Sequence, residues 1–286
     1  MHGPRILVDS LVPRSSTFKH GNEWQYHSRS DHHSKVACWA LLFDLMCHCA
    51  LLRDHVSKGL VGYGLNHEMR EFGTGRKKKL DLVLCRPRSG AVMSGPAPTF
   101  EDQASEIGVL LEPNVRAALR ELPRLDEMPV GAVHVALEAK ACMTEFGKAR
   151  PRLYDELNSS HLAIHGNSPF TIAAGLAMVN TSTTFVSPGR NDFDLSSRAP
   201  VVTLHKQPAA ARSVVEKLRE LPRRGRDGEE GYDAFAILLV NCTNDGTPVT
   251  VTTSPPAPQP GEVDHYEMAV HRLAQLYEQK YRGIAV

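Results

Sequence analysis

Glu138 and Lys140 interrupt an otherwise apolar run, VHVALEAKA, at 133–141. Side chains alternate across a strand, so an acid and an amine two residues apart project side by side. Val133, Val135, Leu137 and Ala139 then form one face, and His134, Ala136, Glu138 and Lys140 the other. Upstream, Asp81 breaks a second apolar run, LDLVLC at 80–85, directly after three lysines. Leu80, Leu82 and Leu84 form its apolar face, with Asp81 opposite. If the two runs pair with their polar positions level, Asp81 and Glu138 converge with Lys140 beside them. Two carboxylates and a strand-edge carbonyl, such as that of Ala139, are hard oxygen donors. They suit Mg²⁺, which keeps several waters and takes one or two protein carboxylates plus phosphate oxygens. A bound Mg²⁺ lowers the pKa of a water and neutralises charge growing on a phosphate. Lys140 would hold or help deprotonate the attacking water, or offset phosphoryl charge.

The elements that must position these residues follow from pattern. SDHHSK supplies capping residues for a helix over 33–56. Residues 62–85 read as a hairpin, 86–102 as a Pro/Gly/Ser-rich loop, and a helix starts near Pro113. After the strand at 132–141 comes a helix, strongest from Pro151, with Leu153, Leu157 and Ile164 on one face. Buried strands are expected at 170–180 and 234–242, a loop at 181–209, and a helix at 209–221. RRGRDGEEG reads as a solvated loop and TSPPAPQPGE as a stiff connector. The last helix, 263–282, places Val263, Tyr266, Val270, Leu273 and Tyr277 together. Strands alternating with helices, several apolar throughout, predict an α/β sandwich with a mixed central sheet.

The chain has 286 residues, with 42% hydrophobic and 23% charged residues. We expect an irregular N-terminal arm at 1–30 and one domain over 31–286, with a core at 33–180 and an extension at 181–286. A net charge of +1 excludes a polybasic nucleic-acid coater. None of the six cysteines forms a C-x-x-C pair, so reduced core thiols are expected. The N-terminus lacks a continuous apolar segment of signal-peptide type. The longest apolar stretch, 36–52, is interrupted by Asp44 and His48 and reads as a buried helix, with no membrane partner. A cytoplasmic setting is therefore expected. Dinucleotide-binding, P-loop and nucleophile-elbow motifs are absent.

Two basic clusters flank the acids in sequence: Arg76, Lys77, Lys78 and Lys79 before Asp81, and Lys148, Arg150 and Arg152 after Lys140. They would supply contacts to a phosphate backbone. His32 and His33 have no third ligand at a recognisable spacing and read as structural or solvent histidines.

An aspartate, then E-x-K on a following strand, then a helix, resembles the PD-(D/E)XK nuclease superfamily, which includes most type II restriction endonucleases. Asp81 and Glu138-Ala139-Lys140 carry the resemblance, and the order helix, strand, strand, strand, helix, strand matches over about 33–180. Two departures stand out: Leu80 replaces the usual proline, and a long insertion separates Asp81 from Glu138. A second E-x-K, Glu278-Gln279-Lys280, lies in a helical segment. The resemblance implies a restriction-endonuclease-like α/β/α core and Mg²⁺-dependent hydrolysis of double-stranded DNA by a homodimer. Asp81 and Glu138 would hold the metal, and Lys140 would assist the nucleophile. It also implies a further acid, with Glu68 or Asp44 the leading candidates and Glu71 a competitor. Tyr154, Asn158 and His161, on the helix that borders the site in similar nucleases, would orient water or phosphate. The alternatives are a structure-specific repair, recombination or anti-phage nuclease, and a catalytically silent DNA-binding module.

Overall fold

Alternation of strand and helix closes into a layered α/β sandwich. The computed structural model describes residues 1–13, 16–17, 19–75, 77–90 and 95–283. The chain opens with α1 (Gly3–Leu11), a small ribbon of β1 (Ser16–Thr17) and β2 (Glu23–Trp24), then α2 (His32–His48) and α3 (Ala50–Ser57). A hairpin follows, β3 (Gly62–Arg70) and β4 (Lys77–Pro87), then α4 (Phe100–Glu106) and α5 (Pro113–Glu121). Next come β5 (Val130–Cys142), α6 (Phe146–Asn167), β6 (Ile172–Asn180), and a short pair β7 (Thr184–Val186) and β8 (Val202–Leu204). The chain ends with α7 (Ala209–Arg219), β9 (Ala234–Asn241), β10 (Thr250–Thr252) and α8 (Tyr266–Tyr281).

Six strands form the central sheet in the order β10-β9-β6-β5-β4-β3. The central pairs β5–β6 and β6–β9 are parallel and the outer pairs antiparallel, so the sheet is mixed. Residues of α1, α2 and α8 cover one face and residues of α6 and α7 the other, each with its own apolar cluster. Strand β6 is buried along its whole length, as a central strand covered on both faces must be. The region after 180 is therefore part of the sandwich, since it contributes β9, β10, α7 and α8.

Several expectations need correction. The arm at 1–30 is not irregular throughout. Ile6, Leu7, Val8 and Leu11 of α1 are buried in the core. The helix expected over 33–56 breaks at Cys49, whose backbone is extended, and α2 and α3 meet at 97°. The Cys49 sulfur accepts from the Leu52 amide and caps α3. No single helix among the described residues is long and apolar enough to cross a membrane, although the bent α2–α3 pair has the combined length and composition. α2 is apolar on nearly every side because it is packed on nearly every side. Val263 is exposed, because α8 begins only at Tyr266. Within 181–209, β7 and β8 replace part of the expected loop.

Strict alternation along β5 also fails. The register slips between Leu84 and Cys85, which pair with Val135 and Val133. His134 is the extra residue of this bulge. Val133 consequently packs with the α6 face, and His134 turns to Tyr281 of α8, ring centroids 4.4 Å apart. Alternation is regular from Val135 onward, so Leu137 and Glu138 face opposite ways.

Candidate active site

The site forms where β4 and β5 part. Their antiparallel ladder runs inward to Leu82 and Leu137, which leaves Asp81 level with Glu138 as the next pair. The ladder stops there because β4 twists. Leu80 packs with Val83 in the α6-side cluster, while Leu82 and Leu84 pack on the α2 side. Opposite Asp81, Asn66 of β3 has φ +49°, a left-handed conformation that asparagine tolerates better than most residues. The expectation that Leu80 shares a face with Leu82 and Leu84 is overturned by this twist.

The Asp81 carboxylate fills the gap that the twist opens. Its Oδ2 accepts from the Ala139 amide at 2.9 Å, taking the place of a ladder carbonyl. Its Oδ1 accepts from the Ser34 hydroxyl of α2 at 3.3 Å. A residue's N–H and C=O lie on the same side of a strand, so the Ala139 carbonyl projects toward the same gap.

Glu138 is 1% exposed, at the centre of the sheet. Its neighbour in β6 is Gly175, where a Cβ would strike Phe235 at 2.5 Å, so the wall beside Glu138 is aromatic and tight. Lys140 Nζ stands 2.6 Å from Glu138 Oε1, and Lys78 Nζ 3.5 Å from the same atom. Oε1 is thus paired with ammonium groups alone, and Oε2 has no hydrogen-bond donor among the described residues. A buried carboxylate with an oxygen that no donor reaches is costly and asks for a reason.

These charges act on one another. Burial, followed by the Glu138 charge, pushes the Asp81 carboxyl up to about 6, against the pull of Lys140, the Ala139 amide and Ser34. Burial alone would lower Lys140, but Glu138 and Asp81 outweigh it and hold the ammonium above its ordinary range. His33 of α2 is lowered to about 3 by burial and then by Lys140, so its imidazole is neutral.

Asp81, Ala139 and Lys140 form the floor of a cleft of about 720 Å³. One wall is the start of α2, with His33 and Ser34; another is the first turns of α6, with Lys148, Arg152 and Glu156; the far wall is 185–190. The cleft lies at the carboxyl end of β5, the usual place for a ligand in an open α/β sheet.

The structure brings Asp81, Glu138 and Lys140 together. The remaining expected residues divide. Lys148 and Arg152 line the cleft, with Arg152 paired to Glu156 at 2.6 Å, while Arg150 lies outside it. Lys78 reaches Glu138 from β4, whereas Lys77 and Lys79 sit exposed on the hairpin, and Lys77 pairs with Glu68 at 2.8 Å. Arg76 lies outside the described residues.

Neither leading candidate for a further acid reaches the site. Glu68 is exposed on β3. Asp44 is fully buried elsewhere and accepts from the His2 and Gly3 amides, capping α1. Glu71 is spent on Thr74 in the hairpin turn. Tyr154, Asn158 and His161 do not line the cleft either. Tyr154 packs under the Lys217 ammonium of α7 at 4.2 Å, and His161 hydrogen-bonds Asn158 and packs edge-on to Tyr232. Two residues along a helix is roughly 200° of rotation, so the face of Arg152 is nearly opposite that of Tyr154.

Sequence reasoning missed Ser34, Glu156 and the 187–190 segment, and read His33 as a structural or solvent histidine. Only the serine in SDHHSK signalled Ser34, and a capping role accounted for it. The far wall carried no signal, because long-range hydrogen bonds place it. Asn191 is buried and clasps Ser187 O and Val201 O, and the Val186 amide donates to Thr243 O.

The donors fit a hard divalent cation. Glu138 offers a buried carboxylate with Oε2 undonated, Asp81 a carboxylate whose pKa is pushed up by burial and then by Glu138, and Ala139 a carbonyl. No cluster of three or more His, Cys, Asp or Glu suited to a metal occurs among the described residues, so waters would complete the shell, as Mg²⁺ prefers. No family model, curated protein or solved structure matches this chain.

Proposed function

We propose that this protein is a metal-dependent endonuclease that hydrolyses DNA phosphodiester bonds. In this reading the sandwich is the α/β/α core of the PD-(D/E)XK superfamily and the enzyme is most like a type II restriction endonuclease. One observation carries the proposal. A fully buried glutamate, with one oxygen that no donor reaches, lies level with an aspartate and beside a lysine, and those two line the floor of a cleft where two strands part.

Asp81, Glu138 and the Ala139 carbonyl would hold Mg²⁺. When bound, the cation supplies charge neutralisation at the phosphate and a more acidic water. Ser34 and the Ala139 amide fix the orientation of the Asp81 carboxylate. Lys140, kept as an ammonium by its two acid neighbours, stabilises charge on the phosphate oxygens and orients the attacking water. Water oxygen bonds to phosphorus as the phosphorus–oxygen bond to the leaving sugar breaks, and the proton that the water loses passes through solvent while the leaving sugar oxygen takes one up from solvent.

The test is cleavage of plasmid and of a sequenced viral genome with Mg²⁺ or EDTA, with the ends mapped. Mg²⁺-dependent cutting at discrete sites is expected, and Lys140→Ala should slow it by about 10³-fold. Cutting confined to branched or damaged DNA would assign the fold to a structure-specific nuclease. Robust cleavage by Lys140→Ala would overturn the mechanism. Tight metal-independent binding without cleavage would leave a DNA-binding module.

A further inference from the structure

The four cations that line the cleft are not equivalent. Lys140 is matched to Glu138, and Arg152 to Glu156, each at 2.6 Å. Lys148 and Arg190 have no carboxylate, carbonyl or aromatic partner among the described residues. They stand on different walls, Lys148 in the first turn of α6 and Arg190 at the end of a short 3₁₀ turn, Pro188–Arg190. Both side chains are exposed and border the space above Asp81 and Lys140.

The segment that carries Arg190 is held firmly, although it has little regular structure. Its backbone is clasped by Asn191, which donates to Ser187 O at 2.8 Å and accepts from Val201 N at 2.7 Å. Asn244 donates to Val186 O at 2.9 Å, and Asn22 donates to Phe193 O at 2.7 Å and accepts from Leu195 N. A free guanidinium is thus presented from a fixed backbone, and its planar donors match a phosphate in two contacts at once.

We infer that Arg190 is a phosphate-positioning residue. With Lys148 opposite, it holds backbone phosphates that neighbour the scissile one, and so seats the strand over Asp81, Glu138 and Lys140. This rests on the nuclease reading. It differs from the sequence expectation, which placed the phosphate contacts on the β3–β4 hairpin and on α6 alone.

The experiment measures binding of a fluorescein-labelled DNA duplex in EDTA across a salt series, for wild type, Arg190→Ala, Arg190→Lys and the control Arg226→Ala. Arg226 is exposed in a distant loop and pairs with Glu229. Loss of one charge-assisted contact predicts affinity about tenfold weaker for Arg190→Ala, with a salt slope lower by about one. Arg190→Lys should restore the slope and part of the affinity, and the control should bind as wild type does. Under Mg²⁺ turnover, Arg190→Ala should raise KM more than it lowers kcat. If wild type binds and cleaves DNA while Arg190→Ala matches it in affinity and slope, the role of Arg190 is refuted and the nuclease reading stands. If wild type neither binds nor cleaves DNA, both fall.

Discussion

Two groups of buried charge lie at opposite ends of the parallel strands, and they are built on opposite principles. At the amino ends of β6 and β9, Arg224 is 4% exposed and engages all three guanidinium nitrogens. It donates to Asp233 at 2.7 Å, to the carbonyls of Pro169 and Thr171, and to Asp227. Asp233 in turn accepts from the Ala173 amide at 2.8 Å. At the carboxyl end of β5, Glu138 is as deeply buried but has no backbone donor, and its Oε2 has no donor at all among the described residues. Its cationic neighbours both approach Oε1, and one of them, Lys140, opens onto a cleft with a side chain 25% exposed. A buried ion pair that serves the fold satisfies its lone pairs and protons from the backbone. The pair at Glu138 leaves that capacity unused, which is what a site for a further cation requires.

Substitution should separate the two. Lys140→Ala or Glu138→Gln is expected to cut the cleavage rate by about 10³-fold, on the scale of losing one electrostatic stabiliser of a transition state. Lys140→Ala leaves buried Glu138 with only the more distant Lys78 and should lower the melting temperature as well, whereas Glu138→Gln, whose partner Lys140 borders solvent, should not. Arg224→Ala should do the reverse. It leaves Asp233 buried and uncompensated, which costs about 3–5 kcal/mol in urea unfolding, while the fraction that stays folded cleaves at the normal rate.

A smaller effect separates them by pH. The Asp81 carboxyl is raised from 3.8 unfolded to about 6 folded. The folded protein therefore holds a proton that the unfolded chain has lost. Its contribution is fully present below pH about 4 and is lost as pH rises through about 6. Asp81→Asn removes this dependence, so it should match wild type near pH 4 and exceed it at pH 7 by on the order of 3 kcal/mol. Equal stability of the two at pH 7 would deny the strain. The smallest effect is at Glu68. Because Glu68 is exposed and paired only with Lys77, Glu68→Ala should leave cleavage within about twofold of wild type. A large loss would restore Glu68 as a ligand.

The sequence made the sheet legible because its strands are apolar runs bounded by turns. The level placement of Asp81 and Glu138 was legible too, since an acid in each run marks where the core ends. Three features were not. The bulge at His134 changes which face Val133 meets, and no local pattern announces an extra residue in a ladder. Helix α1 depends on capping by Asp44, about forty positions away, so its own short apolar run gave no signal. Arg223 and Arg224 looked like a solvated loop because charged runs usually are. Instead Arg223 lies over the Phe235 ring at 4.4 Å, and burial lowers it to about 10, while Arg224 is a core residue. The far wall of the cleft, with Arg190, depends on asparagine side chains that bridge distant segments, and only three dimensions show it.

The contrast between the closed pair and the open one reduces to a single question: does Glu138 take a divalent cation? Calorimetric titration of Mg²⁺ or Mn²⁺ into wild type, Glu138→Gln and Arg226→Ala answers it. We expect saturable binding in wild type and in Arg226→Ala, with a rise in melting temperature, and loss of both in Glu138→Gln. Binding that is absent in wild type, or unchanged by Glu138→Gln, would contradict the account.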